Sequence, residues 1–77
     1  MKNVSLVQMR AKQKGIVVEI HGGKAVQSRF MSMGIYKGRE VKKLSHFALQ
    51  GPVTISVGKT VLALGHGMAG KIFLSTE

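Results

Sequence analysis

Residues 22–38, GGKAVQSRFMSMGIYKG, predict a short amphipathic helix that is entered through a glycine pair. Val26, Phe30 and Met33 follow one another at i, i+4 and i+7, which places them on one stripe of a helix. Gly34 stands where the chain must leave the helix, in a left-handed conformation that glycine adopts without a Cβ clash. The rest of the chain has the shorter patterns of strands, so we expect this helix to pack on a small sheet.

Five short stretches with apolar alternation outside the helix predict β-strands. They are residues 15–21, 40–45, 53–57, 60–64 and 71–74. Gly58-Lys59 between two of them has the composition of a two-residue hairpin loop. In a chain of 77 residues these patterns predict one domain over residues 1–77 and a mainly β fold. We expect a small SH3-like barrel of about five strands, with one short helix inserted after the first strand.

Two further local patterns bear on the fold. Residues 5–9, SLVQM, predict a helical turn in which Ser5 is the N-cap, with Leu6 and Met9 pointing inward. In residues 40–45 the alternation breaks at Lys43. That break predicts either a β-bulge or a lysine at the rim of the barrel.

The composition favours a binding module over an enzyme. Twelve Lys and Arg residues stand against three acidic residues, the net charge is +9, and cysteine is absent. Few side chains are therefore available for acid–base pairs, triads or thiolate metal sites, and we expect a non-enzymatic protein. The sequence has neither a long apolar span nor the apolar core of a signal peptide, which predicts a cytoplasmic protein. The positive charge indicates an acidic partner, nucleic acid or an anionic membrane surface.

Two other functions remain open at this stage. His21, His46 and His66 each follow a predicted strand, and three histidines at one end of the barrel would suit a metal-binding chaperone for Fe²⁺ or Zn²⁺. They lack local ligand spacing, so we expect no bound metal or cofactor. Basic clusters at 10–14 and 37–43 would suit a nucleic-acid-binding barrel, but few aromatic residues are interleaved with them.

Three motifs resemble a known family over most of the chain. They are Met33-Gly34-Ile35-Tyr36-Lys37-Gly38 at the helix exit, Gly51-Pro52 at the opening of a strand, and Ala69-Gly70-Lys71-Ile72-Phe73-Leu74 near the end. This set resembles the FeoA family, small cytoplasmic SH3-like accessory proteins of bacterial ferrous-iron uptake. The resemblance implies a role in ferrous-iron transport by docking on the cytoplasmic GTP-binding region of the membrane transporter FeoB.

Residues that flank the helix exit and face away from its apolar stripe are the candidates for the docking surface. We expect Met31, Tyr36, Lys37, Arg39 and Phe47 to lie on or beside it. Basic side chains would steer the module toward an acidic patch of the transporter or toward the anionic membrane, and exposed apolar side chains would anchor it.

Overall fold

One antiparallel sheet organises the chain in a computed structural model, which describes residues 2–46 and 50–76. The described residues form β1 Lys2–Ser5, β2 Lys14–Ile20, α1 Lys24–Ser32, β3 Glu40–His46, β4 Val53–Val57, β5 Thr60–Leu64, α2 His66–Ala69 and β6 Ile72–Thr76. The strand order is β1-β6-β2-β3-β4-β5, and each neighbouring pair is antiparallel. The mainly β prediction is therefore confirmed.

Helix α1 has the boundaries that its glycines predict. Gly23 is the N-cap, and Gly34 leaves the helix with a positive φ of 85°. Phe30 is fully buried, while Val26 and Met33 are partly buried and pack against the core. The apolar stripe of the helix thus covers the sheet as expected. Within the described residues, neither helix is long and apolar enough to span a membrane.

The core lies between the bent sheet, helix α1 and the turn that follows β1. Alternate residues of β4 and β6 point into it, as period-2 strands require. The buried apolar side chains are Leu6, Met9, Val17, Phe30, Ile35, Val41, Val53, Ile55, Val57, Leu64, Ala69, Ile72 and Leu74. Every helix and strand of the described residues except β1 contributes to this set. The fold therefore depends on contacts between residues that are distant in sequence.

Strand β2 changes face part-way along its length. Val17 is fully buried, whereas Ile16 is 37% exposed. A register irregularity against β6 lies between Val17 and Glu19, and beyond it Ile20 packs against the core. Simple alternation would have put Ile16 and Ile20 on one face, and the bulge separates them.

The N-terminus holds a strand that the sequence patterns did not predict. Strand β1 pairs with β6, with Val4 opposite Leu74, so helix α1 follows the second strand of the chain. The predicted turn comes directly after β1. Ser5 N–H donates to Gln8 Oε1 at 2.9 Å, and Gln8 N–H donates to Ser5 Oγ at 3.3 Å. Leu6 and Met9 are buried as expected.

Candidate docking surface

The segment after helix α1 is anchored to the fold at two positions, and the two side chains between them are exposed. Ile35 is buried, and the Gly38 N–H donates to the Val17 carbonyl of β2 at 2.8 Å. Gly38 has a φ of 92°, a conformation that side chains rarely adopt. Between these two anchors lie Tyr36 and Lys37, and both are exposed. The glycine-flanked loop therefore places Tyr36 and Lys37 at a fixed position on the surface.

Exposed Tyr36 and half-buried Arg39 contact each other at the surface, and we call this pair the Tyr36–Arg39 platform. Arg39 Nη1 donates to Tyr36 Oη at 2.9 Å, and the guanidinium carbon lies 5.6 Å from the ring centroid. That distance is within the range of a cation–π contact. The guanidinium also approaches the β4–β5 turn so closely that a Cβ on Gly58 would lie 2.5 Å from Nη2. In the described residues Arg39 has no carboxylate partner, so its charge is available to another molecule.

A groove of about 480 Å³ runs beside the platform. Its lining residues are Glu19, Ile20, Gln27, Met31, Ile35, Tyr36 and Lys37. Met31 is 59% exposed, which is high for a large apolar side chain. The Gln27 side chain crosses from the helix to β2, where its Nε2 donates to the Ile20 carbonyl at 2.6 Å. The groove thus combines apolar walls with one lysine and one glutamate.

A second cation lies inside the fold. Lys43 is 2% exposed, and its Nζ donates to the carbonyls of Val7 at 2.9 Å and Met9 at 2.6 Å. The third contact is with His46 Nδ1 at 3.3 Å. An ammonium has three N–H donors, and all three have acceptors here. Burial lowers the pKa of Lys43. The register irregularity of β3 lies between Lys43 and Ser45, so the predicted bulge is present.

Two of the three histidines come together beside Lys43. The rings of His46 and His66 are stacked, with centroids 5.8 Å apart. Burial lowers the pKa of His46, and the nearby charges of Lys43 and His66 lower it further. His21 has different neighbours, since its Nε2 lies 2.9 Å from Glu19 Oε2 and its ring packs against Phe73. In residues 2–46 and 50–76, no three His, Cys, Asp or Glu side chains form a group that could hold a metal ion.

Comparison with known proteins decides the family. The model of the FeoA domain matches residues 4–76 of this chain. The chain belongs to the FeoA family. A crystal structure described as an iron uptake regulatory protein (FeoA) is 36% identical, covers 99% of this chain and 100% of its own, and has a TM-score of 0.91. The family resemblance and the SH3-like fold are therefore confirmed.

Structures with lower sequence identity share the fold. An NMR structure of a FeoA-like protein from Clostridium acetobutylicum is 24% identical, with a TM-score of 0.84, over 99% of this chain and 88% of that one. A manganese-dependent transcriptional repressor is 20% identical, with a TM-score of 0.88, over 97% of this chain. This chain spans only 42% of the repressor's length. A comparison with curated protein sequences finds no significant match.

The structure places four of the five predicted docking residues of this FeoA-family chain in one region. Met31, Tyr36 and Lys37 line the groove, and Arg39 lies against Tyr36. Phe47 lies outside the described residues. Sequence reasoning missed Ile20 and Gln27. No sequence signal could have identified Gln27, because its role depends on the helix passing over the end of β2.

Proposed function

We propose that this chain is a non-enzymatic, cytoplasmic accessory protein of ferrous-iron uptake that docks on the cytoplasmic GTP-binding region of a FeoB-type transporter. Membership of the FeoA family supports the link to iron uptake, as does its 36% identity to a protein described as an iron uptake regulator. The docking step, the ferrous form of the iron, the cytoplasmic location and the lack of enzymatic activity all belong to the proposal.

The observation that carries the proposal is the Tyr36–Arg39 platform next to an apolar groove. Tyr and Arg are enriched among the residues that dominate binding energy at protein interfaces, and apolar pockets beside them accept anchor side chains. Lys37 at the edge of the groove adds a second cation. With a net charge of +9, the chain would be steered toward an acidic surface on the transporter. The same charge would attract it to the anionic membrane beside the transporter.

The two described groups with shifted pKa values, Lys43 and His46, contact each other, and neither belongs to the Tyr36–Arg39 platform. Such groups often mark catalytic sites, because burial and neighbouring charges tune acids and bases. Here the three donors of Lys43 are taken up by two backbone carbonyls and His46. His46 is in turn engaged by Lys43 and stacked on His66. Burial accounts for the lowered pKa of Lys43, and burial together with the neighbouring charges accounts for that of His46, so the packing of the fold explains both shifts.

The test is a calorimetric titration of this chain with the purified GTP-binding region of the transporter, at low and at moderate salt. Lys37→Glu is expected to weaken binding by about tenfold or more at low salt, because it places a carboxylate against an acidic partner. The matched control is Lys2→Glu on β1, which makes the same charge change at an exposed position outside the helix exit. The control is expected to change the affinity by less than about threefold.

Two outcomes would contradict the proposal. The first is an affinity for the GTP-binding region that Lys37→Glu leaves unchanged at low salt. The second is the absence of binding together with a shift of labelled RNA that falls steeply with salt, which would favour the nucleic-acid alternative.

A further inference from the structure

Strand β5 lies at a free edge of the sheet. It is last in the strand order, and among the described residues it pairs with β4 alone. An edge strand presents a row of unpaired N–H and C=O groups to any extended chain that approaches. The geometry of the β4–β5 hairpin shows which groups these are.

The turn fixes the direction of each backbone group on β5. Gly58 has a φ of 60° and Lys59 does not have a positive φ, so the two-residue loop is of type II′. In such a hairpin the flanking pair, Val57 opposite Thr60, is hydrogen-bonded, and the pairs then alternate along the strands. Val61 and Ala63 consequently point their N–H and C=O groups to the open edge. In the described part of the chain, no loop or turn backbone group bonds to them.

This edge lacks the features that usually prevent pairing with another chain. Residues 60–64, TVLAL, contain no charge and no proline, and the β4–β5 register is unbroken by a bulge. Val61 is 64% exposed, the highest value among the exposed large apolar residues that the structure describes. The opposite edge differs, because β1 has only four residues and begins with Lys2. The β5 edge is therefore suited to receive a strand.

The charged residues near β5 indicate what kind of strand this edge would receive. Arg39 lies against Gly58 in the turn that precedes β5, and Lys59 is the next residue of that turn. Two cations thus flank the end of the edge that adjoins the Tyr36–Arg39 platform. A second copy of this chain would bring another +9 of charge to the same place, which disfavours self-association. An acidic partner segment has the complementary charge.

We propose that the docking partner adds an extended segment to the edge of β5, with a carboxylate side chain next to Arg39 and Lys59. This inference rests on the proposed function and specifies how the same partner is held. Backbone hydrogen bonds at Val61 and Ala63 would give affinity, as in other cases of β-strand addition, and the charge at the turn would set direction. The Tyr36–Arg39 platform and the β5 edge would then be one continuous interface.

Ala63→Pro tests the backbone contact, because it removes one outward N–H and leaves the bonds to β4 intact. The matched control is Ala63→Ser, which keeps that N–H and changes the side chain by one hydroxyl. With the GTP-binding region of the transporter as the probe, Ala63→Pro is expected to weaken binding by about tenfold, and Ala63→Ser by less than about twofold. Wild-type amide hydrogen exchange gives a second measurement that needs no variant. Val61 and Ala63 are expected to become protected on binding, and the amides of β1 are not.

The outcomes separate this inference from the proposed function. If Lys37→Glu weakens binding while Ala63→Pro does not and the Val61 and Ala63 amides stay unprotected, strand addition is overturned and docking stands. If the wild-type chain does not bind the GTP-binding region, both are overturned. If Val61 and Ala63 become protected with rising protein concentration in the absence of the probe, the occupant is a second copy, and the acidic partner segment is overturned.

Discussion

Arg39 and Lys43 are two cations four positions apart in one basic stretch, and the structure uses them in opposite ways. Arg39, just before β3, extends over Tyr36 and Gly58 at the surface. Lys43, within β3, is buried under the turn that follows β1 and bonds to the carbonyls of Val7 and Met9. A run of basic residues in the sequence is therefore not one binding surface. Part of it belongs to the core.

The buried position of Lys43 has a clear physical cause. Turn residues have carbonyl groups without strand partners, and a buried carbonyl without a donor costs free energy. Lys43 reaches two such carbonyls, at Val7 and Met9, from 36 and 34 positions away. The ammonium therefore joins the N-terminal turn to the middle of the sheet. By contrast, Arg39 is engaged only by exposed groups, and its removal leaves no buried acceptor without a donor.

The largest expected effect comes from removing the buried cation. Lys43→Met keeps the length and apolar stem of the side chain but leaves the Val7 and Met9 carbonyls without a donor. We expect the free energy of unfolding to fall by about 2–4 kcal/mol, measured by urea denaturation. Arg39→Met is the matched control, and as a change at a surface site it is expected to cost less than about 1 kcal/mol. Equal losses of unfolding free energy for the two variants would contradict the different roles of the two cations.

A smaller effect is expected from the pH dependence of the buried cluster. The pKa of His46 is lowered from 6.5 by burial, by the Lys43 ammonium and by His66. As the pH falls through 6.5, the unfolded chain binds a proton more readily than the folded chain, so the free energy of unfolding decreases. At pH values well above 6.5, the contribution of His46 to the free energy of unfolding is constant.

Urea denaturation between pH 7.5 and about 5 measures this slope. His46→Gln removes the titrating ring and keeps an acceptor, Oε1, for Lys43. The variant is expected to lose stability less steeply than the wild type on acidification. A slope that His46→Gln leaves unchanged would contradict the lowered pKa of His46.

The exposed helix exit and the buried site of Lys43 also differ in how far the sequence predicts them. The helix exit follows from local signals, since the Val26–Phe30–Met33 stripe and the glycines 34 and 38 lie within thirteen residues of one another. The surface position of Tyr36 and Lys37 could therefore be predicted. At Lys43 the broken alternation indicated a bulge or a rim position, and the bulge is present. The bonds of Lys43 to Val7 and Met9 join distant parts of the chain, and no local pattern specifies them.

Two other features that the sequence patterns did not predict also arise from contacts between distant parts of the chain. Strand β1, Lys2–Ser5, has a polar composition that matches no strand pattern, and it is a strand because β6 lies alongside it. The Gln27 contact with Ile20 likewise requires the helix to lie over β2. Local propensity and periodicity determine which elements form. Pairing between distant elements determines which side chains meet.

A third and smaller effect is expected on the exposed side, from Gly58→Ala. The Gly58 φ of 60° strains an alanine, and the new Cβ would lie 2.5 Å from Arg39 Nη2. We expect a loss of about 1 kcal/mol in the free energy of unfolding and a displaced guanidinium, visible as changed NMR shifts at Tyr36. Gly67→Ala is the control, because its Cβ would meet nothing within 4 Å and its φ is not positive. Unchanged Tyr36 shifts in Gly58→Ala would show that Arg39 is not held against the turn.

The central claim is that Lys37, the exposed cation at the helix exit, binds the partner. The most direct measurement is the affinity of wild-type, Lys37→Glu and Lys2→Glu chains for the GTP-binding region of the transporter at low salt, with the free energy of unfolding measured in parallel. We expect Lys37→Glu alone to lose about tenfold or more in affinity while its free energy of unfolding stays within about 0.5 kcal/mol of wild type. Equal affinities for the three chains would contradict the claim.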